Sequence, residues 1–262
     1  MMYRALALAL GLQLVACAAG PSSDEADDTG VAANAWTLAP LWKELPAPAV
    51  PLWEHYRLPG KPATSFRYRR KDGRDAMEVK AVASASALRQ KVHIAPSELR
   101  HIKFSWKVPA LIAEADMAMR DTDDSPVRVV LAFEGDRSLF SSKNTMLSEL
   151  LNALTGEPLP YATLMYVWCN TRAPDSIIIN PRTDRIRKLV VASGGAQLNQ
   201  WLEYQRDIRT DFERAFGEPP GALIGIGIMS DTDNTKSTAQ AWYGPVSLTS
   251  AAGSAGSGNT GQ

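Results

Sequence analysis

Three oxygen-bearing side chains directly after an apolar segment are the first candidates for binding chemistry. Asp231, Asp233 and Asn234 lie in Ser230-Asp-Thr-Asp-Asn-Thr-Lys236, which follows the apolar residues 222–229. Hard cations such as calcium bind several oxygen ligands that converge from a short loop. The same side chains are also common in turns, where they hydrogen-bond their own backbone. The segment therefore indicates either a calcium or ligand site or an ordinary turn.

A second group of candidate side chains ends an apolar segment in the middle of the chain. Even-numbered positions from Tyr166 to Arg172 carry two aromatic rings, an amide and a guanidinium, and in a strand they share one face. Sugar sites combine aromatic rings, which stack on C–H patches, with polar groups that fix hydroxyls. Trp168 is expected to fill the core, because tryptophan is usually mostly buried. Asn170 and Arg172, at the end of the strand, are therefore predicted to bind ligand.

Motifs that would indicate catalysis are scarce. The sequence contains no Gly-x-Ser-x-Gly nucleophile motif and no phosphate-binding loop, and its histidines are far apart. Glycan hydrolysis by paired carboxylates needs a separation of roughly 5 Å for retention or 6.5–9.5 Å for inversion. The one pairing to consider is Asp231 or Asp233 with Glu134 or Asp136, and nothing in the sequence brings these together. No catalytic residue is therefore predicted.

Alternation of apolar and polar residues indicates that strands dominate the fold. Residues 102–108 alternate in this way, and Lys71-Asp72-Gly73-Arg74 is typical of a two-residue hairpin turn. Two segments instead repeat apolar residues at helical spacing, Met146–Leu154 and Ile208–Phe216, with a glycine after each. Many short strands with few helices predict a mainly β protein, an antiparallel two-sheet β-sandwich or jelly roll with two peripheral helices.

The beginning of the chain is typical of an exported protein. Arg4 precedes an apolar run of about 11 residues, whereas a membrane span needs roughly 20. The junction Leu14-Val15-Ala16-Cys17 resembles the lipobox of bacterial lipoproteins, which implies cleavage before Cys17 and acylation of its thiol and new amine. More than one acyl chain makes anchoring stable. Ala18 at the next position implies sorting to the outer membrane.

These features divide the chain into four parts. Residues 1–16 are predicted to be a signal peptide, 17–35 a lipidated cysteine with an acidic flexible tether, 36–250 the β-sandwich, and 251–262 a disordered tail. The formal net charge is zero and no Lys/Arg block occurs, which argues against nucleic-acid binding. Arg128 follows several aspartates and is expected to form a surface ion pair with one of them.

From Phe104 onward the chain resembles a bacterial family, domain of unknown function 3047. The matching stretches are Phe104-Ser-Trp-Lys-Val108, Tyr166-Val-Trp168, Asn180-Pro181, Asp211-Phe212 with Phe216-Gly217, Met229-Ser-Asp-Thr-Asp-Asn-Thr235 and Ala241-Trp-Tyr-Gly244. Trp242, in the last of these, joins the predicted ligand-binding residues. The strand order also resembles the galactose-binding-type jelly roll, whose modules often bind sugars and in some cases hold a structural calcium. Pro245 stands where that likeness would place an acidic residue.

The sequence favours a non-catalytic, ligand-binding lipoprotein of the bacterial cell envelope. Its predicted partners are the membrane, through the lipid, and a glycan or another envelope component. A glycan-active enzyme, a hydrolase or lyase using carboxylates near residues 231–235, is the first alternative. A structural envelope protein is the second. Fold likeness alone does not decide among them.

Overall fold

The computed structural model describes Trp36 and residues 53–249. The predicted signal peptide, the lipidation site Cys17, the tether and the tail all lie outside the described residues. Within the described part, no helix is long and apolar enough to cross a membrane.

Strands make up most of the described chain. In chain order they are β1 (Glu54–Arg57), β2 (Ser65–Lys71), β3 (Arg74–Val82), β4 (Ala85–Ile94), β5 (His101–Lys107), β6 (Ser125–Phe133), β7 (Ala162–Cys169), β8 (Ile177–Ile179), β9 (Ile186–Ser193), β10 (Trp201–Asp207), β11 (Leu223–Asp231), β12 (Thr238–Tyr243) and β13 (Ser247–Thr249). The helices are α1 (Ser142–Thr155) and α2 (Ile208–Phe216), and a short 3-10 turn covers Arg137–Leu139.

These strands form two sheets that pack face to face. One sheet has the order β1-β4-β11-β6-β7-β9-β8, and the other has the order β10-β5-β12-β3-β2, with β13 also paired to β5. All pairs are antiparallel except β7 with β9, because β8 intervenes in the chain between them. The predicted two-sheet β-sandwich with two helices is confirmed, with this one parallel pair as the exception.

The core lies between the sheets and follows from strand alternation. Ile102, Phe104 and Trp106 are buried, whereas the residues between them face outward. The Phe104 ring stacks on Tyr166 of the opposite sheet, with centroids 5.3 Å apart, and on Tyr204 at 5.2 Å. Aromatic pairs of this kind contribute about 0.5–1.5 kcal/mol beyond their buried area. Trp168, only 1% exposed, is part of the same core, as expected.

Helix α2 has the predicted bounds, whereas α1 begins at Ser142, before the predicted start at Met146. The side chain of Ser141 accepts a hydrogen bond from the Asn144 N–H at the start of α1, and Asp207 likewise caps α2. Gly156 and Gly217 follow the helices with φ of 76° and 70°, a conformation that favours glycine. The two helices therefore end where the glycines stand.

The β2–β3 connection is the hairpin turn predicted from Asp-Gly. Lys71 pairs with Arg74, and Asp72 and Gly73 between them have φ of 52° and 73°. Two successive positive φ values are typical of a type I′ turn, whose twist matches that of the flanking strands. The turn thereby projects the Asp72 side chain toward the six-stranded sheet, where it has a role in the site.

Candidate functional site

The segment after β11 forms part of a buried carboxylate cluster. Asp231 and Asp233 meet Asp124, and carboxylate oxygens of the three residues lie within 4.8 Å of one another. All three side chains are buried. The sequence places Asp231 and Asp233 together but gives no reason to add Asp124, which lies more than a hundred residues earlier in the chain.

Each carboxylate of this cluster already has donors from the protein. Asp231 accepts from Arg128 Nε at 2.9 Å, and Asp233 pairs with the ammonium of Lys61. Asp124 accepts from the backbone N–H of Thr235 at 2.7 Å and from its hydroxyl at 2.6 Å. The spacing suits a cation, but the donor set is satisfied without one. Calcium at this loop therefore stays a prediction from the sequence.

A buried charge network lies beside the carboxylates. Lys188 Nζ donates to Asp123 Oδ1 at 2.6 Å, and Arg128 Nη2 donates to the same oxygen at 3.0 Å. Burial, and after it the neighbouring Arg128, lower the pKa of Lys188 to about 8 against the raising effect of Asp123. Burial raises the pKa of Asp231 to about 6 despite the opposing effect of Arg128. The expected Arg128–aspartate pair exists, but it is buried and not at the surface.

A long connection, which we call the cover loop (residues 109–124), lies over this network. Its apolar anchor is Met117. This side chain packs on the outer face of the seven-stranded sheet, against Val167, Cys169, Ile178 and Val190. Lys188 Nζ also donates to Met117 O at 2.8 Å. The cover loop therefore closes this end of the sheet to solvent.

The predicted ligand-binding residues Asn170 and Arg172 hold the cover loop. Asn170 Nδ2 donates to the carbonyl oxygen of Ile112 at 2.7 Å, and Arg172 pairs with Asp116 at 2.5 Å. Asn234 Nδ2 donates to the carbonyl oxygen of Arg120 at 3.0 Å. These three side chains therefore form hydrogen bonds with other residues of the protein.

The carboxylate pairing considered for catalysis is separated in the structure. Asp231 is paired with Ser125 at the start of β6, whereas Glu134 follows the last residue of that strand. Nine strand residues at 3.3–3.4 Å each place these two positions about 30 Å apart. Asp136 is also at the far end, where its side chain accepts from the Ser138 N–H. Both separations exceed what paired carboxylates need.

A groove of about 550 Å³ crosses the open half of the outer face of the seven-stranded sheet. Small residues form its floor, namely Ala87, Ala132, Gly225 and Gly227. At its rim Arg89 holds Glu157 through two hydrogen bonds of 2.6 and 2.8 Å. The groove is thus an apolar depression with an Arg89–Glu157 ion pair at its rim.

One cation of the groove, Arg89, contacts both Glu157 and Tyr56, and Glu134 is the other carboxylate that lines the groove. Hydrogen bonds from Arg89, aided by Lys91, lower the pKa of Glu157 to about 2, so this carboxylate cannot act as a proton donor. The Arg89 guanidinium also lies 3.9 Å from the ring centroid of Tyr56. Among the described lining residues, Tyr56 is the only tyrosine or tryptophan. The groove therefore offers little of the aromatic surface that sugars stack on.

Two tryptophans lie on the outer face of the six-stranded sheet, which we call the indole face. Trp201 of β10 and Trp242 of β12 are both paired with Lys107 of β5, which runs between them. Two strand spacings separate their backbones by about 10 Å, and neighbouring side chains of this register share one face. Both rings are half-buried. The sequence predicted Trp242 and missed Trp201, although Trp-Leu-Glu-Tyr-Gln alternates as a strand does.

The hairpin turn fixes both indoles in place. Asp72 Oδ2 accepts from Trp201 Nε1 at 2.9 Å and from Lys107 Nζ at 2.6 Å. The Lys107 hydrogen bond is the main reason that the pKa of Asp72 lies below its usual range. Lys71 Nζ lies 5.0 Å from the Trp242 ring centroid, and the Arg74 guanidinium lies 5.5 Å from that of Trp201. Trp201 is therefore held by a hydrogen bond before any ligand arrives, and each ring has a cation of the hairpin beside it.

A polar crevice of about 440 Å³ continues from Trp201 along β10 and β5. It is lined by Lys103, Phe104, Ser105, Glu203, Tyr204, Gln205 and Pro245. The side chains of Lys103, Ser105, Glu203 and Gln205 belong to the outward-facing positions of their strands. Ammonium, hydroxyl, carboxylate and amide groups therefore stand next to the indoles.

Comparison with known proteins gives one family match. The family described as "Protein of unknown function (DUF3047)" matches residues 51–247. No curated protein matches the chain. Among solved structures, the chain is similar to the xyloglucanase domain of NopAA, a type three effector from Sinorhizobium fredii, in complex with cellobiose. That likeness has a TM-score of 0.41 and 9% identity, and it covers 76% of this chain and 91% of that chain.

Proposed function

The chain belongs to the family of proteins of unknown function DUF3047, and from its geometry we propose that it is a non-catalytic carbohydrate-binding protein. The proposed binding surface is the indole face with the adjoining crevice. The family description assigns no activity, so the proposal is argued from the geometry of the site.

The observation that carries it is the pair of indoles flanking Lys107. Trp201 and Trp242 lie on one face, about two strand spacings apart, as the register requires. Aromatic rings supply flat apolar area on which the C–H faces of sugars stack, while polar groups fix orientation. Two such rings on one face of the sheet suit an oligosaccharide that spans more than one sugar unit.

Rigidity and polar neighbours support the same ligand. Asp72 bonds the Trp201 N–H, so this indole loses little freedom when a ligand binds. Ser105, Glu203 and Gln205 line the crevice beside it and can donate to and accept from hydroxyl groups. The crevice would therefore orient the sugar, while the indoles supply contact area.

The enzymatic alternative has less support from the same geometry. Glu157, in the groove, is held as a carboxylate by Arg89 and Lys91. Asp231, the carboxyl with a raised pKa, is buried under the cover loop and lies far from Glu134. We therefore assign no catalytic role to these carboxylates.

The test is a glycan array probed with the purified full chain and three variants. Trp201→Ala and Trp242→Ala each remove one ring, and we expect each to weaken binding about 10-fold or more. Tyr56→Ala is the matched control, because it removes an aromatic ring from the groove on the opposite sheet. Thermal melts of each variant show whether the fold survives.

The outcomes separate the two surfaces. Loss of glycan binding in both tryptophan variants, with normal binding by Tyr56→Ala, supports the proposal. Loss of glycan binding in Tyr56→Ala alone would indicate that the groove is the binding site. Absence of binding to any glycan by the wild type would refute a carbohydrate function.

A further inference from the structure

Positive charge concentrates on the indole face, although the whole chain is neutral. The strand register places the following cations outward on this face or at its hairpin: Arg67, Arg69, Lys71, Arg74, Lys80, Lys103 and Lys107. The carboxylates of the same surface are Asp72, Glu78, Glu203 and, at the end of β10, Asp207. The cations therefore outnumber the carboxylates where the proposed sugar contacts lie.

Three carboxylates of this face pair with a subset of the cations. Glu203 pairs with Arg74 at 2.6 Å, and Asp72 pairs with Lys107 at the same distance. Glu78 lies 3.2 Å from Lys80 Nζ and 3.7 Å from Arg69 Nε. Asp72, Glu78 and Glu203 are thus paired with a lysine or arginine, and Asp207 accepts a hydrogen bond from the Thr210 N–H at 2.8 Å.

Two exposed cations lack a carboxylate partner within the described chain. No carboxylate oxygen of residues 53–249 lies within 4.0 Å of Lys103 or Arg67, and both side chains are exposed. Lys103 also lines the crevice that extends from Trp201. A negative group on a bound ligand would meet an unpaired ammonium there without displacing any protein contact.

We propose that the glycan bound by the indole face is acidic, with carboxylate-bearing sugar units such as uronic acids. This inference rests on the proposed carbohydrate function and specifies the ligand class of the same surface. The indoles stack on sugar rings, and Lys103 and Arg67 pair with the carboxylates of those rings. Fixed carboxylates between the cations distinguish this face from a continuous basic track that would follow nucleic-acid phosphates.

The probes are pairs of polymers that differ in charge alone. Polygalacturonate, alginate and hyaluronan are each compared with their carboxyl-reduced forms, in affinity gels with the purified full chain. A single-stranded oligothymidylate is run beside them. We expect retention by at least one acidic polymer, a loss of about 10-fold on carboxyl reduction, and weakening in salt at about 0.5 M, where the Debye length is short.

Charge variants assign the effect to the indole face. Lys103→Gln and Arg67→Gln should each weaken binding of the acidic polymer about 2- to 5-fold and leave its reduced form unaffected, since exposed pairs are individually weak. Lys143→Gln is the matched control, because this exposed cation belongs to α1 and not to the indole face. Normal melting temperatures in all three variants keep the comparison free of folding effects.

The results distinguish the two levels of the proposal. Binding that survives carboxyl reduction, or that is restricted to neutral glycans, overturns the acidic ligand and leaves the carbohydrate function standing. No retention by any of these polymers overturns the acidic ligand, and absence of binding on the glycan array as well overturns the carbohydrate function. Oligothymidylate bound as tightly as the acidic glycans overturns the inference in favour of a general polyanion surface.

Discussion

Lys61 explains how three carboxylates are accommodated at the end of the sandwich. Its ammonium pairs with Asp233, which is 7% exposed, while Lys61 itself is more than a third exposed. Arg128 neutralises Asp231 from the other side. A divalent cation at this position would have to replace the Lys61 ammonium, because both seek the same oxygen.

We predict that Lys61→Met creates or strengthens a calcium site. Without the ammonium, Asp233 has lost its cation, so calcium should raise the melting temperature more in this variant than in the wild type. Binding to the native state alone stabilises by about 2.7 kcal/mol at 100 times Kd. Melts with calcium and with chelator measure the difference.

The control for this prediction removes the carboxylate as well. Lys61→Met with Asp233→Asn should melt at the same temperature in calcium and in chelator. A calcium-dependent rise that persists in the double variant would place the ion elsewhere. Equal rises in Lys61→Met and the wild type would contradict competition by the ammonium.

The location of some predicted site residues could be inferred from the sequence, and that of others could not. Trp242 and Asp231 were identified from their own segments, and the structure places one on the indole face and the other in the carboxylate cluster. Asn170 and Arg172 end a strand, where a side chain can turn to solvent or to a neighbouring loop. Their partners lie more than 50 residues earlier, in the cover loop, so sequence spacing could not choose between these outcomes.

Helix α1 exposes part of the apolar set that predicts it, while Leu147 and Leu151 of the same set are half-buried. Met146, Leu150 and Leu154 repeat at helical spacing, but they are 66%, 56% and 60% exposed. The buried side chains of the helix are instead Asn144 and Ser148. The spacing therefore predicted the helix correctly but could not tell which face contacts the sandwich.

We predict that a polar residue of α1 stabilises the protein more than an apolar one. Asn144 donates to Asp184 and accepts from the Thr183 hydroxyl, both at 2.7 Å. Asn144→Ala removes the acceptor of the buried Thr183 hydroxyl and should cost about 1–3 kcal/mol. Leu150→Gln should change stability by less than about 0.5 kcal/mol, because the side chain is exposed. Urea unfolding measures both, and the reverse order would contradict the packing of α1.

Strand prediction succeeded where local chemistry decides the outcome. The Asp-Gly turn and the 102–108 alternation depend on neighbouring residues, and both are present in the structure. The parallel pairing of β7 with β9 depends on how β8 returns across the sheet edge, which periodicity does not record. Periodicity also could not predict that Trp201 lies across β5 from Trp242, because that arrangement depends on the assembled sheet.

The domain sits within a longer chain whose first part is predicted to bind a membrane. We propose that Cys17 carries lipid and anchors the protein to the bacterial envelope, so that the indole face is presented to envelope glycans. Cys17→Ser should leave an uncleaved, unlipidated precursor and release the protein from membranes, because the acyl chains are lost. Metabolic labelling with a fatty-acid analogue and cell fractionation measure this. Equal labelling of wild type and variant would contradict it.

Cys169 makes the cover loop observable in solution. Cys169 is 2% exposed, it has no cysteine partner among the described residues, and it packs against Met117 of the loop. A thiol reagent can reach it only during excursions in which the loop lifts or the sheet opens. When reclosing is faster than modification, the labelling rate reports the population of that open form. The rate at which Cys169 is modified therefore measures how often the cover loop opens, with no engineered cysteine.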